Sequence, residues 1–244
     1  MQRVLPLLSV LLPAGSAVAA ELPQVPADQA WRGQRPASGA PIQPVLPKFE
    51  KRSLPNGLTV LHARVDGLPL VSFQLVTLGG ATRDPKAQPG LTNITYALMQ
   101  EGAGSRDALA FADAVADLGA SFGGGAGRDQ AALAISGLLR EADPMMALLA
   151  DVVRRPQLPA EAFARTKAEA LATLKRRRGS PQSLAFEKLP ELLYGKEHPL
   201  GHPSTGTMDS VEAIKLQDVK AHFGRILGPK DSALIAVGAL SADE

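Results

Sequence analysis

The chain of 244 residues contains no cysteine. This absence excludes disulfide bonds, thiolate metal sites, a cysteine nucleophile and a lipid anchor on an N-terminal cysteine. Aromatic residues make up only 4% of the chain, so aliphatic side chains must dominate its core. The net charge is only +2, and no basic stripe is interleaved with aromatic residues. This composition argues against nucleic acid as the main ligand.

Long apolar runs are confined to the N-terminus. Arg3 precedes the apolar residues 4–13, a stretch too short to span a bilayer as a helix. Small residues follow as far as Ala20, which is the pattern of a signal peptide cleaved after Ala19 or Ala20. We therefore predict a signal peptide over 1–20, no membrane span after its removal, and a bacterial periplasmic location. The alternative is an N-terminal anchor helix.

Two further segments follow the predicted signal peptide. Residues 21–47 are rich in proline and otherwise polar or small, which predicts an extended linker able to lie along a partner's surface. The folded body is expected over 48–244.

The body alternates between strand-type and helix-type hydrophobic patterns. A Pro55-Asn56-Gly57 turn predicts a hairpin with strands at 51–54 and 58–63. Further strands are predicted at 71–76, 120–127, 130–138 and 232–239, and helices at 90–100, 106–118, 141–153, 159–178, 184–193 and 219–226. Tight turns between the early strands require antiparallel pairing. The pattern predicts an α+β two-layer sandwich with a mainly antiparallel sheet.

Several stretches of the body resemble insulinase-like (pitrilysin-type) zinc peptidases in their order and intervals. They are LPNGLTV, GLTNITYALMQEGAGS, RDALAFADAVADLGASFGGGAGRD, LADVVRRP and YGKEHPLGHPSTGT. The resemblance runs from about residue 49 to 239. It implies the domain found in halves of processing-peptidase-like enzymes, with a second homologous domain missing from this chain.

The catalytic motif of that family is degenerate here. In active members one helix carries H-x-x-E-H, whose histidines bind zinc and whose glutamate activates a zinc-bound water. Asn93 and Ala97 stand at the histidine positions and Tyr96 at the glutamate position. The third ligand falls near Thr173, and no acid occurs from 170 to 179. Asparagine is a poor zinc ligand, alanine has no donor atom, and tyrosine is a poor base at neutral pH. The resemblance therefore implies no catalytic residue and no metal in this chain.

Tyr96 has two interpretations. At the motif position its side chain is expected to point into the cavity in which active family members bind their metal. There it either hydrogen-bonds a substrate or fills the space that the metal has vacated.

Other candidate sites have structural explanations. His198 and His202 lie in a proline-rich turn that is ordinary in the family, and His62 and His222 are isolated. The glycine-rich run at 123–127 lacks the ending of a phosphate-binding loop, so it indicates a strand bend or a close backbone approach. The basic run at 175–178 ends a predicted helix, where cations suit the helix dipole.

The resemblance implies a partnership. Family members enclose a chamber between two double-domain halves, and in heterodimers such as mitochondrial processing peptidase one subunit lacks the zinc motif. We therefore expect a non-catalytic subunit that binds a peptide by strand addition beside the zinc of an insulinase-like partner, the only subunit expected to hold zinc. The alternatives are a stand-alone peptide-binding or scaffold protein, and an active metallopeptidase with an unconventional site.

Overall fold

The computed structural model describes residues 26–33, 38–39, 41 and 47–241. The boundary between two compact units falls between Val45 and Leu46. The predicted signal peptide lies outside the described residues. In the first unit, Ala27–Gly33 forms 3-10 turns that are interrupted at Gln29. This part of the predicted linker is therefore not extended.

The second unit is built on a mainly antiparallel sheet. Its strands in chain order, with two that form a separate small ribbon, are β1 (Phe49–Ser53), β2 (Thr59–Arg64), β3 (Leu70–Leu78), β4 (Gly102–Ala103), β5 (Arg106–Asp107), β6 (Ser121–Ala126), β7 (Gln130–Leu138) and β8 (Ser232–Gly238). The six-stranded sheet has the order β1-β2-β8-β3-β7-β6, and β4 pairs with β5. Among its pairs, only β2 and β8 run parallel. The predicted α+β class is confirmed.

The early strands do not all pair with one another. The hairpin of β1 and β2 is antiparallel, as predicted. However, β8 lies between β2 and β3, parallel to the first and antiparallel to the second. The expectation that tight turns pair all the early strands is therefore wrong. β2 and β3 are consecutive in the chain but are not neighbours in the sheet. The strand between them is β8, which comes from the other end of the chain.

Seven α-helices accompany the strands among the described residues of the second unit. They are α1 (Leu91–Met99), α2 (Ala108–Asp117), α3 (Ala142–Arg154), α4 (Ala160–Arg178), α5 (Pro181–Tyr194), α6 (Met208–Ala213) and α7 (Leu216–Ile226). The sequence pattern missed α6, a single short helix that is capped by the side chain of Thr207. It also began α2 too early, since Asp107 is the N-cap of that helix.

The core lies between the sheet and the helices. Alternate residues of β3 and β7 are buried, among them Phe73, Leu133 and Ile135, and they join one cluster with Leu91 and Leu98 of α1. The intervening residues of these strands are less buried, which is the pattern of a two-layer sandwich. Within the described part of the chain, no helix has the length and apolar character needed to cross a membrane.

Candidate functional site

Helix α1 carries the degenerate motif. Its N-terminus is fixed by a glycine in a left-handed conformation and by hydrogen bonds to Asp84. Gly90 has φ of 94°, and a Cβ built on it would lie 2.8 Å from the carbonyl oxygen of Thr205. Only glycine fits there without strain. The carboxylate of Asp84 accepts from the backbone nitrogens of Gly90 and Thr92, both at 2.7 Å. Asp84 thus satisfies backbone donors that a helix start leaves unpaired.

A buried network joins α1 to α7. The hydroxyl of Thr92 donates to Asp84 Oδ1 at 2.6 Å, and Nε2 of His222 lies 2.7 Å from the same hydroxyl. Because the single proton of the hydroxyl goes to Asp84, His222 Nε2 must donate to the hydroxyl oxygen, so this ring nitrogen carries a proton. Burial lowers the pKa of His222 to about 4, with a contribution from Arg225. Burial also raises the pKa of Asp84, although hydrogen bonds from Thr92 and Gly90 oppose this rise. The predicted structural role of His222 agrees with these contacts.

Three of the four motif positions lie together. Asn93 and Ala97 from α1 and Thr173 from α4 line one cavity of about 240 Å³. We call it the motif cavity. The remaining lining residues are Ile94, Thr166, Glu169, Ala170, Leu174, Arg177 and Thr205. Sequence reasoning missed Glu169, although it lies four residues before Thr173 and therefore on the same face of α4.

The donor set of the motif cavity does not fit zinc. A carboxamide, a methyl group and a hydroxyl occupy the positions of Asn93, Ala97 and Thr173, and Glu169 is the one acid in the lining. Zinc in proteins takes thiolate, imidazole or carboxylate ligands. Across the described ranges, no group of three or more His, Cys, Asp or Glu side chains could hold a metal ion.

Asn93 makes two hydrogen bonds through its side-chain nitrogen. Its Nδ2 donates to the carbonyl oxygen of Ser204 at 2.9 Å and to that of Ala126 at 3.1 Å. The side chain therefore ties α1 to the loop before α6 and to the end of β6. These partners are more than thirty and one hundred residues away in sequence.

Tyr96 does not point into the motif cavity. It is 1% exposed, and its hydroxyl donates to Thr77 Oγ1 of β3 at 2.9 Å. Each helical residue advances by about 100°, so Tyr96 is rotated about 100° from Ala97, whereas Asn93 is rotated only about 40° from Ala97. The expectation that Tyr96 faces the cavity is corrected: its ring belongs to the core, where burial also raises its pKa.

Strand β6 forms the edge of the sheet beside the motif cavity. Its carbonyl oxygens at Ala126 and Gly124 accept from Asn93 and, at 3.4 Å, from Gln100 Nε2. Residues two apart in a strand direct their backbone groups to the same side, so this row points towards α1. A Cβ built on Gly124 would lie 2.2 Å from the carbonyl oxygen of Ala132. Of the two alternatives predicted for the glycine run, a close backbone approach is found at Gly124, whereas a Cβ on Gly123 or Gly125 would meet nothing within 4 Å.

Each of the remaining histidines has a hydrogen-bond partner within the chain. Nε2 of His62 lies 3.1 Å from the carbonyl oxygen of Leu240. The carbonyl oxygen of His202 accepts from Arg128, and Nδ1 of His198 accepts from the backbone nitrogen of Leu200. These contacts stabilise a loop. The basic run occupies the last turn of α4, as predicted.

Fold and site together define a peptidase-type domain whose metal position is degenerate. The family model described as Insulinase (Peptidase family M16) matches residues 63–207, more than half of the chain. The chain belongs to this insulinase family.

Relatives in the family include proteins described as inactive. The chain is 24% identical over 177 residues to the non-peptidase homologue YmxG of Helicobacter pylori, covering 72% of this chain and 41% of the relative. It is 23% identical over 180 residues to an uncharacterised zinc protease of Rickettsia bellii, covering 74% and 42%. The chain thus spans about two fifths of the length of these curated relatives.

Solved structures agree with the fold. A peptidase M16 inactive domain from Pseudomonas fluorescens has a TM-score of 0.77 and 32% identity, over 80% of this chain and 48% of that one. The periplasmic protease PqqL of Escherichia coli has a TM-score of 0.69 and 14% identity, over 82% of this chain and 23% of that one. The second likeness concerns the fold alone.

Proposed function

We propose that this chain is a non-catalytic subunit of an exported zinc metallopeptidase complex, and that it binds peptide beside the zinc of an insulinase-like partner. One observation carries the proposal. Asn93 and Ala97 of α1 and Thr173 of α4 line one cavity, and that lining offers no zinc donor set. The similarity to an inactive domain and to a non-peptidase homologue supports it.

The peptide binds by strand addition to β6, whose carbonyl oxygens at Gly124 and Ala126 each accept one side-chain donor and have a second lone pair for a peptide nitrogen. The other outer strand, β1, presents Glu50, Lys51 and Arg52, and charged edges discourage pairing. In contrast, β6 has no charged side chain and ends against the motif cavity. Main-chain hydrogen bonds to such an edge bind peptides with little dependence on sequence.

Export and domain layout complete the proposal. Residues 1–20 act as a signal peptide, 21–47 link it to the body, and the mature subunit works in the bacterial periplasm. Residues 48–244 form the first of two homologous domains, which agrees with the 48% coverage of the Pseudomonas fluorescens structure.

The proposal is tested by reconstitution. A partner with an intact H-x-x-E-H helix is sought in the neighbouring reading frame and assayed on casein alone, with the full-length subunit, and with the 244-residue chain. We expect the partner alone to be slower by orders of magnitude, because a closed chamber positions the peptide and excludes water. A full-length subunit that neither binds the partner nor changes its rate refutes the complex.

Two outcomes identify the alternatives. Peptide binding by a subunit that purifies alone and does not affect the partner identifies a stand-alone binding protein. Stoichiometric zinc in the purified chain, with chelator-sensitive cleavage of casein, identifies an active peptidase.

Strand addition to β6 is tested separately with peptides that are methylated on backbone nitrogens. A peptide N-methylated at the alternate backbone nitrogens that face β6 loses its donors and should not bind. Methylation of the intervening nitrogens should leave binding intact. Equal affinities for the two peptides contradict pairing with β6.

A further inference from the structure

Most of the lining of the motif cavity is either apolar or hydrogen-bonded within the chain. Its apolar surface comes from Ile94, Ala97, Ala170 and Leu174. Its polar groups are largely bonded within the chain. The Asn93 amide donates to two carbonyl oxygens, and two of the three lining threonines accept from arginines of α4. Those two bonds are Arg176 to Thr173 at 2.9 Å and Arg177 to Thr205 at 3.0 Å.

Size and charge also suit an uncharged occupant. An apolar cavity of about 150 Å³ is enough to bind benzene, and the motif cavity measures about 240 Å³. Glu169 and Arg177 lie eight residues apart on α4, or about 12 Å along the helix. Their opposite charges leave the cavity with no dominant sign.

The cavity lies near the edge of β6 because the two share a contact through Asn93. Asn93, which lines the cavity, is bonded to the carbonyl oxygen of Ala126 in that strand. The side chains of an extended peptide alternate between its two faces. A peptide paired with β6 therefore places every second side chain on the face that α1 and α4 occupy.

We propose that the motif cavity receives one medium-sized apolar side chain, such as leucine, methionine or phenylalanine, from a peptide paired with β6. The position vacated by the metal thus becomes a pocket that selects the register of the peptide. The inference rests on the proposed function, since it needs a peptide on that edge.

Peptide binding to the purified full-length chain provides the test. The probes are fluorescent ten-residue peptides of serine and threonine with leucine, glycine, lysine or glutamate at one central position. We expect the leucine peptide to bind roughly tenfold to a hundredfold more tightly than the glycine peptide, from the burial of one apolar side chain. The lysine and glutamate peptides should bind no better than the glycine peptide.

A matched pair of variants locates the preference. Ala170→Leu fills the cavity, whereas Ala172→Leu adds the same side chain to an exposed position of α4. Ala170→Leu should abolish the preference for the leucine peptide over the glycine peptide, while Ala172→Leu keeps the preference. Ala97→Leu, in the other wall, should reproduce the effect of Ala170→Leu.

Because the chain has no cysteine, a single thiol can report occupancy. Maleimide should label Thr173→Cys more slowly when the leucine peptide is bound, and Ala172→Cys at an unchanged rate. This measurement does not depend on filling the cavity.

The outcomes separate the two proposals. Equal binding of the leucine and glycine peptides, or a preference that survives Ala170→Leu and Ala97→Leu, overturns the pocket and leaves peptide binding standing. If no peptide binds the chain, the proposed function itself fails, and the pocket fails with it.

Discussion

The side-chain nitrogen of Asn93 lies 2.9 Å from the carbonyl oxygen of Ser204. At the position where the family motif has a zinc-binding histidine, this chain has an amide that joins its helix to a distant loop. The same nitrogen reaches Ala126, so one side chain connects three separate segments around the motif cavity. A polar contact thus occupies the place where a metal ligand would stand.

Replacing Asn93 should therefore destabilise the domain. Asn93→Ala removes both donors and leaves two carbonyl oxygens short of a partner, which costs about 1–3 kcal/mol in the free energy of unfolding. Asn93→Asp should cost more, because a carboxylate faces two carbonyl oxygens. Urea unfolding measures both variants, with the exposed Gln182→Ala as a control expected within about 0.5 kcal/mol of wild type. An aspartate variant as stable as wild type would show that the two bonds do not matter.

The free energy of unfolding should fall as the pH drops from 6.5 to about 4, because His222 is protonated there in the unfolded chain and not in the folded one. Its pKa is about 4 in the folded chain and 6.5 in its ordinary state. Above pH 6.5 His222 is neutral in both the folded and the unfolded chain, so its titration does not lower the free energy of unfolding. Between pH 6.5 and 4, His222 takes up a proton in the unfolded chain and stays neutral in the folded chain. The loss is roughly 3 kcal/mol once the pH is below both values.

The raised pKa of Asp84 acts in the opposite sense at low pH, so the comparison must isolate the histidine. The difference in unfolding free energy between pH 7.5 and 4.5 should be smaller in His222→Gln than in wild type. His198→Asn, in the exposed loop, should keep the wild-type difference. Identical pH profiles for His222→Gln and wild type would rule out the network as the cause.

Substitution of Tyr96 should lower the free energy of unfolding and leave the affinity for peptide unchanged. Tyr96→Phe leaves Thr77 without its donor and should cost about 1–2 kcal/mol in unfolding free energy. Tyr96→Glu places a carboxylate in the core and should cost at least about 3 kcal/mol. The exposed Tyr194→Phe is the control for the first change. A Tyr96→Phe protein of normal stability but greatly weakened peptide affinity would restore the substrate role.

Restoring the ligands should restore metal binding without restoring catalysis. Asn93→His, Ala97→His and Thr173→Glu together bring three zinc ligands into one cavity. We expect zinc affinity at least about tenfold above that of a variant with the two histidines and Ala172→Glu, whose carboxylate lies outside the lining. Calorimetry measures both affinities. Equal affinities would mean that Thr173 is not placed to complete the site.

Tyr96 stays in the core of that triple variant, so no general base is present and casein should remain uncleaved. Adding Tyr96→Glu to the two histidines without Thr173→Glu should also fail, because the third ligand is still missing.

Much of the local structure was predictable because it depends on neighbours in sequence. The 3.6-residue pattern of Leu91, Leu98 and Met99 predicted α1, and the Pro55-Asn56-Gly57 turn predicted the first hairpin. Helix α6 was missed because six residues offer too short a period to detect. Its capping signal, Thr207 followed by Ser210, was the one local indication of it.

The sequence by itself determined that Asn93, Ala97 and Thr173 cannot bind zinc, because donor chemistry belongs to the residue type. Only the tertiary structure decided that these three share a cavity while Tyr96 turns to the sheet. It also decided that β8 enters between β2 and β3, and that the loop at Ser204 and Thr205 closes over α1. The strand order and the loop over α1 depend on contacts between residues more than one hundred positions apart, and the cavity joins residues 76 and 80 positions apart. Such contacts form only when the whole core packs, and no local pattern encodes them.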